Sequence, residues 1–203
     1  MRKPKLRELG EAIKVLLVEG PYTSKFPKEM TVPPDEYRGK PKFDADVCIG
    51  CGACGEVCPA RAIEMVDDLE SGKRTLKLRY DICIFCGQCH QYCTTKDGID
   101  YTTEYDLAAF DRSEMNVTVE KELAICEMCG GFAGTKDQLR WISKRLGSLA
   151  YSNPTLILSG MENLSQMEPI HSRSKDRKTY REDIFRILCP KCRRKVFLTE
   201  EWG

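Results

Sequence analysis

The chain has 203 residues, and its 32 Lys plus Arg against 31 Asp plus Glu leave a formal net charge of +1. That balance argues against a general nucleic-acid binder or a polybasic membrane anchor, and 41% hydrophobic against 31% charged residues argues against a large oily core. No apolar run approaches the roughly 18 residues of a transmembrane helix, and the charged start MRKPKLRELGEAIKVLLVEG does not read as a signal peptide.

Leu6, Leu9, Ile13, Leu16 and Leu17 fall on one helical stripe, with Lys3, Lys5, Arg7 and Lys14 at other positions. The pattern predicts an amphipathic helix of about 15 residues that ends at Gly20-Pro21. Its apolar face packs on the chain's own body, or else lies on a membrane surface or a partner subunit. Pro21, Pro27, Pro33, Pro34 and Pro41 follow. So dense a run of proline forbids regular structure, so residues 21–42 are predicted to be an extended arm along another surface. Residues 1–42 together read as a docking segment.

Twelve cysteines come next, in tight groups: Cys48, Cys51, Cys54, Cys58; Cys83, Cys86, Cys89, Cys93; Cys126, Cys129; and Cys189, Cys192. Gaps of two or three residues place thiolates around a metal, whereas disulfide scaffolds spread their cysteines. Without an export signal the compartment is expected to be reducing, where thiols stay free. The second quartet repeats the first at an offset of 35 residues, Cys48 to Cys83, and its flanks repeat too: Asp46 and Asp81, Ile49 and Ile84, Gly52 and Gly87. Such a duplication implies a pseudo-twofold unit with two equivalent cofactors.

Each quartet has the spacing C-x2-C-x2-C-x3-C, the run of two-cluster ferredoxins in which the fourth Cys ligates the other cluster. One [4Fe–4S] cluster is therefore assigned to Cys48, Cys51, Cys54 and Cys93, and the other to Cys83, Cys86, Cys89 and Cys58. Gly50, Gly52, Ala53 and Gly55 let the backbone approach the first cluster and aim N–H groups at sulfur. Pro59 after Cys58 fits the run; Thr94 after Cys93 departs from it. Alternation in Arg61–Val66 and Thr75–Tyr80 predicts two hairpin strands around the Asp67–Lys73 loop. A unit of about 60 residues is marginal alone, so the clusters are expected to complete its core. His90 reads as a solvent-facing side chain on a helical turn; Phe85, Tyr92 and Tyr101 read as packing around the clusters.

Cys126-Glu-Met-Cys129-Gly-Gly and Cys189-Pro-Lys-Cys192 read as two knuckles of one four-Cys site. Its default occupant is a structural Zn, with a rubredoxin-like mononuclear Fe as the alternative. A third iron–sulfur cluster and two redox disulfides are the remaining options. In the long insert between the knuckles, Thr135-x-x-Gln138 predicts a capped helix with Leu139, Ile142, Leu146 and Leu149 on one face, ended by Asn153-Pro154. Residues 172–183 are polar and read as a solvated loop or helix start, and Ile184, Phe185, Ile187 and Leu188 lead into the second knuckle. The predicted fold class is α+β. It comprises the helix and arm (1–42), a bacterial-type two-cluster ferredoxin domain (43–116), and a small zinc-ribbon-like domain with a helical insert (117–203).

Gly20-Pro-Tyr-Thr-Ser-Lys-Phe-Pro27, Pro33-Pro-Asp-Glu-Tyr-Arg-Gly39, the eight-Cys unit and the run EYDLAAFDRSEM from Glu104 to Met115 resemble the two-cluster iron–sulfur subunit of respiratory NADH–quinone oxidoreductase (complex I). The final knuckles are instead similar to the formate hydrogenlyase component of the same superfamily, the electron-transfer subunit of membrane-bound [NiFe] hydrogenases. The resemblance implies an electron-transfer subunit without a catalytic site of its own. It implies partners among the other subunits of a membrane-bound oxidoreductase complex, and a peripheral position on the cytoplasmic side of the cell membrane. It also allows the same relay in a sulfur- or sulfane-reducing complex or in complex I proper. No nucleophile–base pair, phosphate loop or nucleotide fingerprint appears in the sequence. A free soluble ferredoxin needs neither helix nor arm. A nucleic-acid-binding zinc module would have to rest on Arg173, Lys175, Arg177, Lys178 and Arg193-Arg194-Lys195, against acidic neighbours Glu182 and Asp183; no nucleic-acid partner is expected.

Overall fold

The computed structural model describes residues 5–20, 25–161 and 178–202. The chain divides into two compact units, Met1–Tyr37 and Arg38–Gly203. Lys3, Pro21–Ser24, Arg173, Lys175 and Arg177, on which some of the expectations above rest, lie outside the described residues.

In the first unit, α1 (Leu6–Lys14) carries Glu8 in its first turn and Lys14 in its last, both favourable to the helix dipole. A wider π-type turn over Val15–Glu19 extends it to Gly20, whose φ of 69° only glycine adopts freely. None of its residues is buried; Leu6, Leu16 and Leu17 are 87%, 81% and 80% exposed. The stripe is therefore not spent inside its own unit. Residues 25–37 hold two turns and no helix or strand, as the prolines dictate.

The second unit begins where the arm was expected still to run. Gly39 and Lys40 donate their N–H groups to the carbonyls of Thr102 and Glu104 at 2.9 and 2.8 Å. A Cβ on Gly39 would lie 2.2 Å from the Glu104 carbonyl oxygen, so glycine alone permits this approach. β1 (Pro41–Phe43) then pairs antiparallel with β4 (Ile99–Tyr101). α2 (Ala53–Glu56) and α3 (Gln88–Gln91) are the short helices after each cysteine loop. β2 (Ile63–Asp68) and β3 (Lys73–Arg79) form the hairpin that the alternation predicts.

β3 also pairs along its whole length with β5 (Asn116–Ile125), which turns back into β6 (Phe132–Thr135), giving a four-stranded antiparallel sheet β2-β3-β5-β6. A boundary at 116/117 thus falls at the start of a strand hydrogen-bonded to the ferredoxin hairpin. Strand pairing of this range leaves no local trace in sequence. Leu76 and Leu78, each 1% exposed, pack with Phe43, Ile63, Ile99 and Val119 around Cys48 and Cys54; burying each such leucine contributes about 1.5–3 kcal/mol.

α4 (Lys136–Leu146) opens as predicted, with the Thr135 hydroxyl accepting from the Gln138 N–H. It stops at Gly147, so the predicted apolar face is shorter than expected: Leu139 is buried and Ile142 packs on the core, but Leu146 and Leu149 are 42% and 69% exposed. Asn153-Pro154 does not merely end a helix; it begins α5 (Pro154–Met161), with the Asn153 side chain accepting from the Thr155 N–H. Asn at the cap and Pro at the first helical position is a start signal. Of the polar run 172–183, Asp183 is buried, accepting from the Tyr180 N–H and pairing with Arg186 at 2.7 Å. α6 (Pro190–Phe197) closes the chain.

Candidate metal and cluster centres

The duplication is written in the backbone as well as in the cysteines. Gly50 and Phe85 take φ values of 65° and 53°, Gly52 and Gly87 80° and 87°, and Arg61 and Lys96 50° and 74°. Every pair is offset by the same interval as the cysteines. Arg61 and Lys96 each donate an N–H at 3.1 Å, to the carbonyls of Cys58 and Cys93. Neither residue is marked in the sequence, because a left-handed Arg or Lys has no side-chain signature. Phe85 sits where the first loop has Gly50, so its unusual φ reflects the loop's shape.

Two sets of four cysteines emerge, each drawing on both loops. Cys48, Cys51, Cys54 and Cys93 line one pocket, closed by Leu76 and Ile99 among others. Cys89 lies within electrostatic reach of Cys83, Cys86 and Cys58. Cys54 also feels Cys89, so the two sets adjoin. Burial pushes the Cys54 thiol up to about 12, with Cys48 and Cys51 adding to the rise, and burial pushes Cys89 up to about 11. Cys48 and Cys83 are raised for the same reason. Left alone, such thiols keep their protons at neutral pH; a cation among them is what would ionise them.

The surroundings suit thiolates. The Ala62 N–H donates to Cys58 Sγ at 3.3 Å and the Phe85 N–H to Cys83 Sγ at 3.5 Å. Thr94 Oγ1 lies 3.2 Å from Cys51 Sγ and Thr95 Oγ1 3.5 Å from Cys93 Sγ. These donors, and the small pocket with its apolar lining, fit an iron–sulfur cluster. His90 is not simply turned to solvent: Nδ1 lies 3.0 Å from the Ile99 carbonyl and 3.3 Å from the Asp100 carboxylate. Of the three aromatics, Tyr92 is 57% exposed and packs little, while the Tyr101 hydroxyl is buried beside Gly87.

The C-terminal cysteines form a tighter group. The sulfurs of Cys126, Cys129, Cys189 and Cys192 all lie within 4.8 Å of one another, the one such group among the described residues. Cys129 and Cys189 are 3.8 Å apart. A tetrahedral ion with bonds near 2.3 Å spaces its sulfurs by about 3.8 Å. The first pair sits in the β5–β6 turn, where Cys126 donates to the Gly131 carbonyl and Gly130, at φ 67°, donates back to Cys126. The second pair is not on a second hairpin: Cys189 caps α6 and Pro190 opens it. Burial raises the Cys126 and Cys192 thiols; burial also acts upward on Cys189, but the Cys192 N–H and the other three thiols hold it below the usual range.

Three residues hold the first loop through contacts that the sequence does not signal. Lys121 Nζ, Arg74 Nη1 and the Thr135 hydroxyl donate to the carbonyls of Ala45, Gly50 and Ile49, respectively. They come from β5, β3 and β6, so only the assembled sheet brings them together.

Residues 47–96 match the family described as the 4Fe-4S dicluster domain. The chain is 43% identical over 101 residues to NAD(P)H-quinone oxidoreductase subunit I of Synechococcus sp. (strain WH7803), covering 47% of this chain and 46% of that protein. It is 36% identical over 117 residues to formate hydrogenlyase subunit 6 of Escherichia coli (strain K12), covering 58% of this chain and 64% of that one. A solved structure of the membrane-bound sulfane sulfur reductase, an archaeal respiratory membrane complex, contains a chain 33% identical with a TM-score of 0.39, covering 57% of this chain and 61% of that chain. The chain spans between about half and two thirds of the length of these relatives. No helix among the described residues is long and apolar enough to cross a membrane.

Proposed function

We propose that this chain is an iron–sulfur electron-transfer subunit, relaying single electrons through two [4Fe–4S] clusters within a membrane-bound, complex I-related oxidoreductase of [NiFe] hydrogenase or formate hydrogenlyase type. Cys48, Cys51, Cys54 and Cys93 hold one cluster, and Cys83, Cys86, Cys89 and Cys58 the other. The observation that carries this is the shared pocket of Cys93 with Cys48, Cys51 and Cys54, which joins cysteines of both loops. When bound, such clusters each accept and return one electron. The chain's own residues ligate, exclude water through Phe43, Leu76 and Ile99, and point N–H groups and hydroxyls at sulfur. Cys126, Cys129, Cys189 and Cys192 hold one structural Zn, supported by the gathering of their four sulfurs within 4.8 Å of one another.

The exposed apolar stripe of α1 and the strand-free segment 25–37 support docking onto other subunits at the cytoplasmic face of the membrane. The greater coverage by the formate hydrogenlyase relative favours that type; the higher identity to the quinone oxidoreductase relative favours the same relay in such a complex as the second reading. Affinity purification of the tagged chain from detergent-solubilised native membranes tests the proposal. Recovery with a nickel-containing hydrogenase subunit supports the first reading, and recovery with quinone- and nucleotide-binding subunits the second. A monomer found wholly in the soluble fraction, clusters intact, would refute both.

A further inference from the structure

Along β5, Val117, Val119 and Leu123 alternate with the solvent-facing Thr118, Glu120 and Glu122, and Lys121 falls in register with the apolar set, 8% exposed. Its direct cross-strand partner is Arg74, which shares the inner face of β3 with Leu76 and Leu78 and is 4% exposed. Two buried like charges opposite one another destabilise a sheet. Something must offset that where they point.

Part of the offset is local. Asp67 takes Arg74 at 2.6 and 2.8 Å, and Asp137 takes Lys121 at 2.8 Å while also pairing with Arg140 at 3.0 Å. Both carboxylates are more exposed than the cations they hold, 27% against 5% and 35% against 8%. Water therefore screens the anions more than the cations. The cations also reach the first cysteine loop through the Gly50 and Ala45 carbonyls, and the Lys121 stem lies 3.0 Å from where a Cβ on Gly50 would stand.

The second loop has the opposite polarity. Two residues before Cys83, Asp81 has a side chain only 7% exposed, paired with an Arg79 that is 38% exposed. Here the carboxylate is the more enclosed partner and the cation faces water. The sheet that covers the first loop does not cover this one alike: Ile49 is 7% exposed and its counterpart Ile84 62%.

Reduction adds one negative charge to a site already made anionic by four thiolates. A cation in a poorly solvated wall favours that charge, and a buried carboxylate opposes it. We propose that the cluster of Cys48, Cys51, Cys54 and Cys93 is the electron sink of the pair, with a potential above that of its neighbour, and that Lys121 sets the gap. Lys121 is a positioning residue: it ligates nothing and acts by charge and by holding the loop. This rests on the two-cluster reading.

The test is a redox titration of the full, cluster-loaded chain followed by electron paramagnetic resonance, after iron and sulfide analysis. The first-cluster signal is the one altered in Cys51→Ser. In the wild type it should be reduced first. Lys121→Met should shift electron sharing at least tenfold toward the second cluster, 59 mV for a one-electron couple, and Lys121→Arg should retain the wild-type gap. Asp137→Asn, which removes the counter-charge, should move the first cluster the other way. Equal potentials in the wild type, a common shift of both clusters, or Lys121→Met and Asp137→Asn moving the first cluster in the same direction would overturn the inference. If Lys121→Met fails to load, the Asp137→Asn shift decides: upward supports, unchanged or downward refutes. A wild-type chain lacking one cluster refutes the two-cluster reading itself, which the iron analysis separates from a loaded chain with no shift.

Discussion

Replacing Thr135 with valine should be among the more damaging small changes in this chain. The side chain is fully buried, and its hydroxyl makes two bonds at once. It donates to the carbonyl of Ile49 in the first cysteine loop and accepts from the Gln138 N–H at the start of α4. Valine keeps the shape and makes neither bond. Loss of the helix cap costs about 1 kcal/mol, and the Ile49 carbonyl left without its donor costs about 1–3 kcal/mol, for a total of about 2–4 kcal/mol. Thr135→Ser keeps both bonds and gives up one methyl, about 1 kcal/mol. Anaerobic urea unfolding of the loaded chain, followed by far-UV circular dichroism, compares the two. The valine variant should unfold at clearly lower urea, with a deficit of about 1–3 kcal/mol relative to serine. Coincident transitions would show that the hydroxyl does not secure the loop, and the contact between sheet and first cluster would lose its support.

Asn153→Ala should lower stability by about 1 kcal/mol, seen as a reduced melting temperature, because the Thr155 N–H loses its acceptor; an unchanged value would remove Asn153 as the cap of α5. The Arg74 guanidinium holds the Asp67 carboxyl below its usual range. A depressed folded value stabilises above the unfolded value of about 3.9 and is lost as pH falls through the folded one, so Asp67→Asn should flatten the loss of stability below about pH 4, and an identical acid profile would contradict the pairing. Deleting residues 1–37 should spare both clusters, since the Gly39 and Lys40 pairing with Thr102 and Glu104 is kept, yet release the chain from the membrane fraction; full retention there would place the attachment elsewhere.

The sequence carried the chemistry of this chain better than its assembly. Cysteine spacing and its repetition point to the two groups of four, because ligand loops are local structures whose turns are encoded within a few residues. The hairpin at Ile63–Arg79 and the start of α4 were legible for the same reason: alternation and a cap are short-range signals. What escaped notice depends on distant strands. Lys121 looks like an ordinary charged residue until β5 pairs with β3 and sets it against Arg74. A boundary at 116 carries no sign of that pairing, which joins strands on either side of it. Asn153-Pro154 reads locally as a stop because both residues disfavour helix interiors; the same properties favour a helix start. Leu146 and Leu149 continue an apolar period that the backbone abandons at Gly147.

Metal and sulfide analysis of the anaerobically purified chain, wild type beside Cys58→Ser, tests the two-cluster relay most directly. The wild type should contain about eight Fe, eight sulfide and one Zn. Cys58→Ser should disturb the cluster built on Cys83, Cys86 and Cys89 and leave the one that Cys51→Ser alters. Four iron atoms in the wild type, or loss of the Cys51-dependent signal in Cys58→Ser, would contradict the crossed ligation on which the account stands.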